Sequence, residues 1–498
     1  MKFWRKYHKW GGLVLSFFLL LFALSGIVLN HRQVFSSIDV PRGILSSSYQ
    51  YKNWNSAALK GSVEIDSTQS LFYGNVGCWL YDKTADKWLD YNTGFPKGTD
   101  GRKVAKVIKT NSNSLFAGTL FGLYEHNNGE WQYIDLGIDH QRITDLIEVN
   151  DTLHILTRSE IAYLNLTQPN DNIKISLLPT PADYQGTTSL FKTIWVLHSG
   201  EILGLTGKIL VDLLALVFVF LIITGLVWTF FPSLIKRAKK KKKQTKNKRN
   251  GFRFSVKWHN RIGIYTLVFL VFITFTGMFL RPPLLIAIAN VQVKNIPYTL
   301  LDSPNAWYDQ LRGIRYNSEL DTYFVSTGKG MYALSADRQK MERLPHQPPV
   351  SVMGINVFEE KSNNNYLIGS FSGLYLWSPI DGSCYNYVTG KPHVPTKKMA
   401  RPIGRYMASG YHASANTEYY FDYSGGVKSL KEQADFPQMP DAVKQASPLS
   451  LWNLALEIHT ARIFQDVIGA FYILIIPLAG ITTLILLLSG FWIWLKKY

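Results

Sequence analysis

The sequence predicts a mixed membrane protein: a four-helix transmembrane bundle of two parallel helix-pair repeats, plus an all-β external domain, a split β-propeller of about six blades. Three observations carry this. Four apolar runs, about 11–30, 208–231, 262–281 and 467–495, each reach the roughly 20 residues needed to cross a bilayer. The histidine–glycine pattern of the first run returns in the third. The two long segments between runs repeat internally with shifts of 44 and 43 residues, within the period of propeller blades.

In chain order the sequence divides into helix one with a cytoplasmic N-terminus (1–31), a first set of external β-repeats (32–195), helix two (196–231), a basic cytoplasmic loop (232–260), helix three (261–281), a second set of external β-repeats (282–455) and helix four (456–498). The first run follows a basic N-terminus, as a secretory signal would. It is longer than a signal's apolar core, and its pattern recurs in the third run, where no signal operates, so it reads as a retained helix. Pro477 is expected to kink helix four.

The net charge of +18 among 498 residues resembles that of a nucleic-acid-binding protein until the charges are placed. Lys2, Arg5, Lys6 and Lys9 precede the first run, residues 236–257 hold twelve Lys/Arg and no acid, and Lys496 and Lys497 end the chain. These positions account for the whole excess, and the remaining basic and acidic residues balance. Basic residues mark the cytoplasmic side, so both termini and the 236–257 loop are expected inside and the two long segments outside. No nucleic acid is expected as a partner; membrane lipid is, and the lysine run can also meet anionic headgroups.

The external segments read as short strands. Leu71-Phe72-Tyr73-Gly74 recurs as Leu115-Phe116-Ala117-Gly118. Tyr323-Phe324-Val325, leading to Gly330-Met331-Tyr332, recurs as Tyr366-Leu367-Ile368, leading to Gly373-Leu374-Tyr375. Weaker units lie near 143–166 and 404–430, giving about three blades per segment; two separate β-domains are the alternative. Cys78 and Cys384, one per segment, are expected as free thiols rather than a bridge, and no CxxC or CxxCH is present for c-type haem, iron–sulfur or zinc.

Each half thus runs helix, β-repeats, helix, which relates the halves by a pseudo-two-fold axis along the membrane normal. Lys6-Tyr7-His8-x-x-x-Gly12 with Ser25-Gly26 matches Lys257-Trp258-His259-x-x-x-Gly263 with Thr276-Gly277, and histidine and second glycine are 18 residues apart in both. Leu197-His198 and Ile458-His459 form the other pair, on helices that close with Thr224-Gly225 and Ser489-Gly490. An imidazole beside a membrane helix is costly without a partner, and paired histidines within one bundle are how proteins ligate haem iron. His8 with His259, and His198 with His459, are therefore expected to hold two haems on opposite sides of the bilayer. Gly12, Gly263, Gly207 and Gly469 are expected to leave room for the macrocycles. Arg462 is expected to meet a haem propionate, and His31 is an alternative external ligand. Asp212 is expected to pair with Lys208 one turn away. The external histidines His126, His140, His154, His346, His393 and His412 lack metal-ligand spacing.

Arg5-x-x-His8-x-x-x-Gly12, Leu197-His198-x-Gly200, Thr224-Gly225-Leu226-Val227-Trp228 and Trp258-His259 with Thr276-Gly277 resemble the PepSY-associated transmembrane family, iron-regulated inner-membrane proteins that include ferric-siderophore reductases. The resemblance covers the helices and their flanks. It implies haem b held by helix-end histidines, a bacterial inner membrane, and electron delivery to a ferric chelate or siderophore in the periplasm. No PepSY domain is found in the external segments. No Rossmann glycine fingerprint is visible either, so the electron donor is expected to be a cytoplasmic protein or the quinone pool. A periplasmic or outer-membrane uptake partner fits the same role. The competing expectation is a haem-free, membrane-anchored propeller acting as a sensor or assembly protein.

Overall fold

The computed structural model describes residues 2–139, 141–168, 173–362, 364–394, 403–415, 417–431 and 435–496; His140 and Lys497 lie outside these. Two compact units form. One comprises Met1–Phe35, Gln185–Ser303 and Leu451–Tyr498, and the other Ser36–Tyr184 and Pro304–Ser450. The first is helical, the second almost entirely β.

The helical unit begins with α1 (Lys2–Asn30), basic in its first turns and then dominated by Leu, Phe, Val and Ala. The short α2 (Leu190–Ser199) is capped at its start by Ser189, whose hydroxyl accepts from the Lys192 N–H. It ends at Gly200, which takes φ +76°, a left-handed conformation that suits glycine. After one 3₁₀ turn, α3 (Gly204–Lys240) runs far beyond the expected 231 and absorbs Pro232. The expected basic loop is largely helical too, within α3 and α4 (Lys246–Tyr265). Then come α5 (Leu267–Met278) and α6 (Leu284–Ile288). Beyond α7 (Asp441–Gln445), which lies in the β unit, follow α8 (Leu451–His459), α9 (Gln465–Ile468) and α10 (Ile475–Leu495).

Among the described residues, three stretches are long and apolar enough to cross a membrane: Lys2–Asn30, Glu201–Lys240 and Arg462–Leu495. The chain is therefore a membrane protein with a large β domain. The expectation of four like spans is corrected at the third. There α4 and α5 meet at an angle of 67°, so a fourth span exists only as a bent pair. At the bend the Thr266 hydroxyl donates to Ile262 O at 2.8 Å, a carbonyl its own backbone N–H also uses. The break near helix four also differs from expectation. It lies at Ala461, which is left-handed, and at Gly469, which also has positive φ, whereas Pro477 sits in the first turn of α10, where no N–H partner is lost.

Besides a two-residue ribbon of Asp39–Val40 with Leu449–Ser450, the described residues of the β unit form six larger antiparallel sheets, each pairing its strands in sequence order: 61–90, 104–134, 143–176, 311–343, 355–386 and 408–429. Five have four strands and the last has three. In every sheet the second strand is almost wholly buried, for example Gln69–Gly74, Leu115–Thr119 and Asn365–Ser370. A strand covered on both faces reads as a continuous apolar run, and these are the segments whose repetition is visible in the sequence.

The faces are covered by neighbouring sheets. Leu71 and Tyr73 of the first share a core with Val107 and Ala117 of the second. Phe116 packs with Leu146, Ile147 with Ile314, Phe324 with Phe358, and Val357 with Ala408. Tyr419 and Phe421 of the sixth sheet share a core with Phe72 and Trp79 of the first. The Tyr411 N–H also donates to Lys60 O at 3.0 Å, beside the first sheet. Gly118 is required for close approach, because a Cβ there would lie 2.5 Å from Ile143 of the next sheet. Cys78 and Cys384 are both free thiols, in different sheets.

Candidate functional site: two histidine pairs in the helical unit

Four imidazoles from four different helices meet in two pairs. His8 on α1 faces His259 on α4 with ring centroids 6.3 Å apart and planes at 89°. His198 on α2 faces His459 on α8 at 6.2 Å and 53°.

Each ring is seated in the same way by a Ser/Thr-Gly dipeptide of another helix. His8 Nδ1 lies 3.1 Å from Leu486 O and 3.0 Å from Ser489 Oγ. His459 Nδ1 lies 3.0 Å from both Phe22 O and Ser25 Oγ. His198 Nδ1 lies 3.0 Å from Ile273 O and 3.2 Å from Thr276 Oγ1. His259 Nδ1 lies 2.9 Å from Thr224 Oγ1 and bonds the Leu221 carbonyl. In every case the carbonyl belongs to the residue three before the Ser or Thr.

The backbone carbonyls settle the tautomer, because each can only accept from an Nδ1–H, and the hydroxyls are satisfied elsewhere. Ser25 Oγ donates to Leu21 O at 2.7 Å, Thr224 Oγ1 to Phe220 O at 2.8 Å, Thr276 Oγ1 to Phe272 O at 2.9 Å and Ser489 Oγ to Leu486 O at 2.8 Å. With its proton so committed, each hydroxyl offers only a lone pair to the imidazole. Nδ1 must then carry the ring's proton and donate it, leaving Nε2 with a bare lone pair. Such outer partners orient metal-ligating histidines.

The glycine after each hydroxyl makes room for the ring. A Cβ at Gly277 would lie 2.7 Å from His198 Cε1, and one at Gly490 3.0 Å from His8 Cε1. At Gly26 and Gly225 the corresponding distances to His459 and His259 are 3.3 and 3.5 Å. Along α1, His8 and Ser25, which seats His459, are separated by about 26 Å at 1.5 Å per residue. The two pairs thus lie near opposite ends of one long helix.

Other expected site residues are placed differently. The His31 ring bonds Asp212, which also accepts from Asn30 Nδ2 at 3.0 Å. Asp212 therefore pairs with the end of α1 and not with Lys208 on its own helix. The Arg462 guanidinium forms a two-pronged ion pair with Glu457, with Nε 2.8 Å from Oε2. Gly207 meets the backbone of Gly200, while Gly12 has open space around its Cβ position and Gly263 only Leu221 at 3.7 Å. The sequence shows all four Ser/Thr-Gly dipeptides, but their role as seats for histidines depends on helix pairing, which spacing along one helix does not disclose.

The family described as the PepSY-associated TM region matches residues 1–231 and 233–497. No curated protein is similar enough to the chain to count as a match. Two solved structures from Bacteroides thetaiotaomicron are similar over part of it. One, described as the extracellular domain of a hybrid two-component system, is 11% identical with a TM-score of 0.37, over 76% of this chain and 33% of that one. The other, a structural-genomics protein of unknown function, is 10% identical with a TM-score of 0.36, over 77% and 73%. The chain thus spans about a third of the first of these. Neither likeness bears on what the chain does.

Proposed function

The chain belongs to the PepSY-associated TM region family, and on that premise we propose that it is an inner-membrane di-haem electron-transfer protein that reduces ferric chelates on the periplasmic side. His8 with His259, and His198 with His459, would each hold one haem b. When bound, that group supplies reversible one-electron chemistry.

The observation that carries the reading is the spacing of the rings. The ring centroids of the two pairs lie 6.3 and 6.2 Å apart, close enough that one metal could be held between two imidazoles at bonds of about 2 Å. Among the described residues no cluster of three or more His, Cys, Asp or Glu suits a metal ion. A bare ion would find only two protein ligands at either pair, whereas a haem would bring further ligands to its iron and would need only the two histidines. The protein's part is to hold each Nε2 lone pair on target through the Nδ1–H bonds. The His8/His259 end would face the donor, a cytoplasmic protein or the quinone pool, and the other end the chelate. The six sheets, with the sixth sharing a core with the first, fit a six-bladed propeller, whose loops suit binding a chelate or an uptake partner.

A reduced-minus-oxidised visible spectrum of protein expressed with adequate haem tests this, and sharp b-type bands are the expected result. Their absence would leave the haem-free sensor or assembly protein as the reading.

The glycines predict a graded series. Gly277→Ala should displace His198 and strip most of the haem from that pair. Gly490→Ala should do less to the other pair, and Gly225→Ala should leave the haem content nearly unchanged. Haem-to-protein ratios check the order. A loss with Gly225→Ala as large as with Gly277→Ala would contradict the seating geometry.

A further inference from the structure

A different kind of site lies in the β unit. All six sheets contribute to a cavity of about 50 Å³, space for only a few water-sized groups. Four cations line it, Lys60, Lys106, Arg312 and Arg315, against two carboxylates, Asp145 and Glu359.

The carboxylates are already engaged. Arg315 lies 2.7 Å from Asp145 and 3.3 Å from Glu359, and Lys106 lies 2.7 Å from Glu359. Glu359 is held down at about 2 against the cost of its burial by the Lys106 and Arg315 charges. Two cations remain over. Arg312 donates only to the carbonyls of Leu311 and Asp309, at 2.8 and 3.0 Å. Lys60 Nζ has no hydrogen bond or ion pair among the described residues. Burial, then the charges of Arg142 and Lys103, bring Lys60 down to about 8. Burial and Arg158 bring Arg312 down to about 9, partly offset by Asp309.

Among the described residues Lys60 has no counter-charge and Arg312 only the Asp309 carboxylate that Arg158 also uses; desolvated cations so poorly compensated are costly, and two facing one polar cavity are a pattern that an anion relieves. We propose that this cavity binds a small oxyanion group, a carboxylate or phosphate, through Lys60 and Arg312. The group arrives either as a free anion or as an arm of an anionic iron chelate. The inference does not rest on the haem reading, because none of its residues belongs to the helical unit.

The test uses the full-length protein in detergent, at constant ionic strength. Citrate and phosphate should raise the unfolding temperature where chloride does not. The rise should vanish in Lys60→Met and Arg312→Met and persist in Lys83→Met, whose lysine pairs with Glu64 at an exposed site. Ferric citrate added beside citrate separates the sources: tighter binding of the iron-loaded form identifies a chelate arm, and equal binding a free anion. Equilibrium dialysis of labelled citrate and phosphate against the unmodified protein is independent of how the variants fold. No anion-specific stabilisation, a rise that survives both substitutions, or less than one bound anion per chain at millimolar excess overturns the proposal.

Discussion

His8→Ala and His259→Ala are each expected to halve the haem bound per protein and to abolish the same half of the spectrum. His198→Ala and His459→Ala should abolish the other half. The argument is geometric. Each pair is made from two helices far apart in sequence, with rings 6.3 and 6.2 Å apart, and removing either ring leaves the metal with one protein ligand. Loss of outer-shell partners alone typically costs 10–100-fold in metal affinity, and loss of a ligand should cost more. His31→Ala is the informative control, because its ring is bonded to Asp212 instead of a second histidine. It should leave both haems in place. Haem quantitation and redox titration of the five variants check the assignment. If His198→Ala kept two haems while His31→Ala lost one, the external pair would have to be rebuilt around His31.

The histidines were legible in the sequence because each lies beside an apolar run, where an unpartnered imidazole is conspicuous, and because the halves repeat. What seats them was legible only as letters. Ser25-Gly26 and Thr276-Gly277 look like packing motifs until α8 and α2 are brought against them. Local rules misled where a distant helix competed. Lys208 and Asp212 are one turn apart, yet Asn30 and His31 reach Asp212 from α1. Arg462 likewise had Glu457 within reach, five residues back across a broken helix. The bend at Thr266 lies in an apolar stretch without proline, and hydropathy averaged over such a stretch does not register a change in helix direction. In the β unit, the doubly covered second strands announced themselves by composition. The outermost strands Lys174–Ser176 and Cys384–Asn386 are only three residues long, too short to show a repeat.

Acid should weaken the β unit well before its carboxylates titrate. His154 and His412 are 3% and 6% exposed. Burial is the main cause that holds each at about 4, against 6.5 for a free imidazole; the nearby Arg338 charge adds to the effect at His154, and at His412 Glu64 partly opposes it. Their surroundings suit the neutral form: His154 stacks on Tyr323 with Nδ1 unpaired, and His412 bonds Ser62 and stacks on Tyr419. Because the folded value is depressed, the unfolded chain takes up these protons first as pH falls. Stability is therefore fully present above about 6.5, is lost progressively down to about 4, and changes no further with these groups below that. At pH 5 the loss is about 2 kcal/mol for each histidine, together a fall of about 10 °C in unfolding temperature for a domain this size. Glu359, held near 2, contributes only below its unfolded value of 4.5, outside this window. Thermal unfolding of the intact protein in detergent, followed by tryptophan fluorescence between pH 7.5 and 5, measures the slope. His154→Phe and His412→Phe keep an aromatic ring in place and should each remove a large share of it, with His126 and His393, also lowered by burial, supplying the remainder within the β unit. A slope unchanged in both variants would mean that neither histidine is buried neutral.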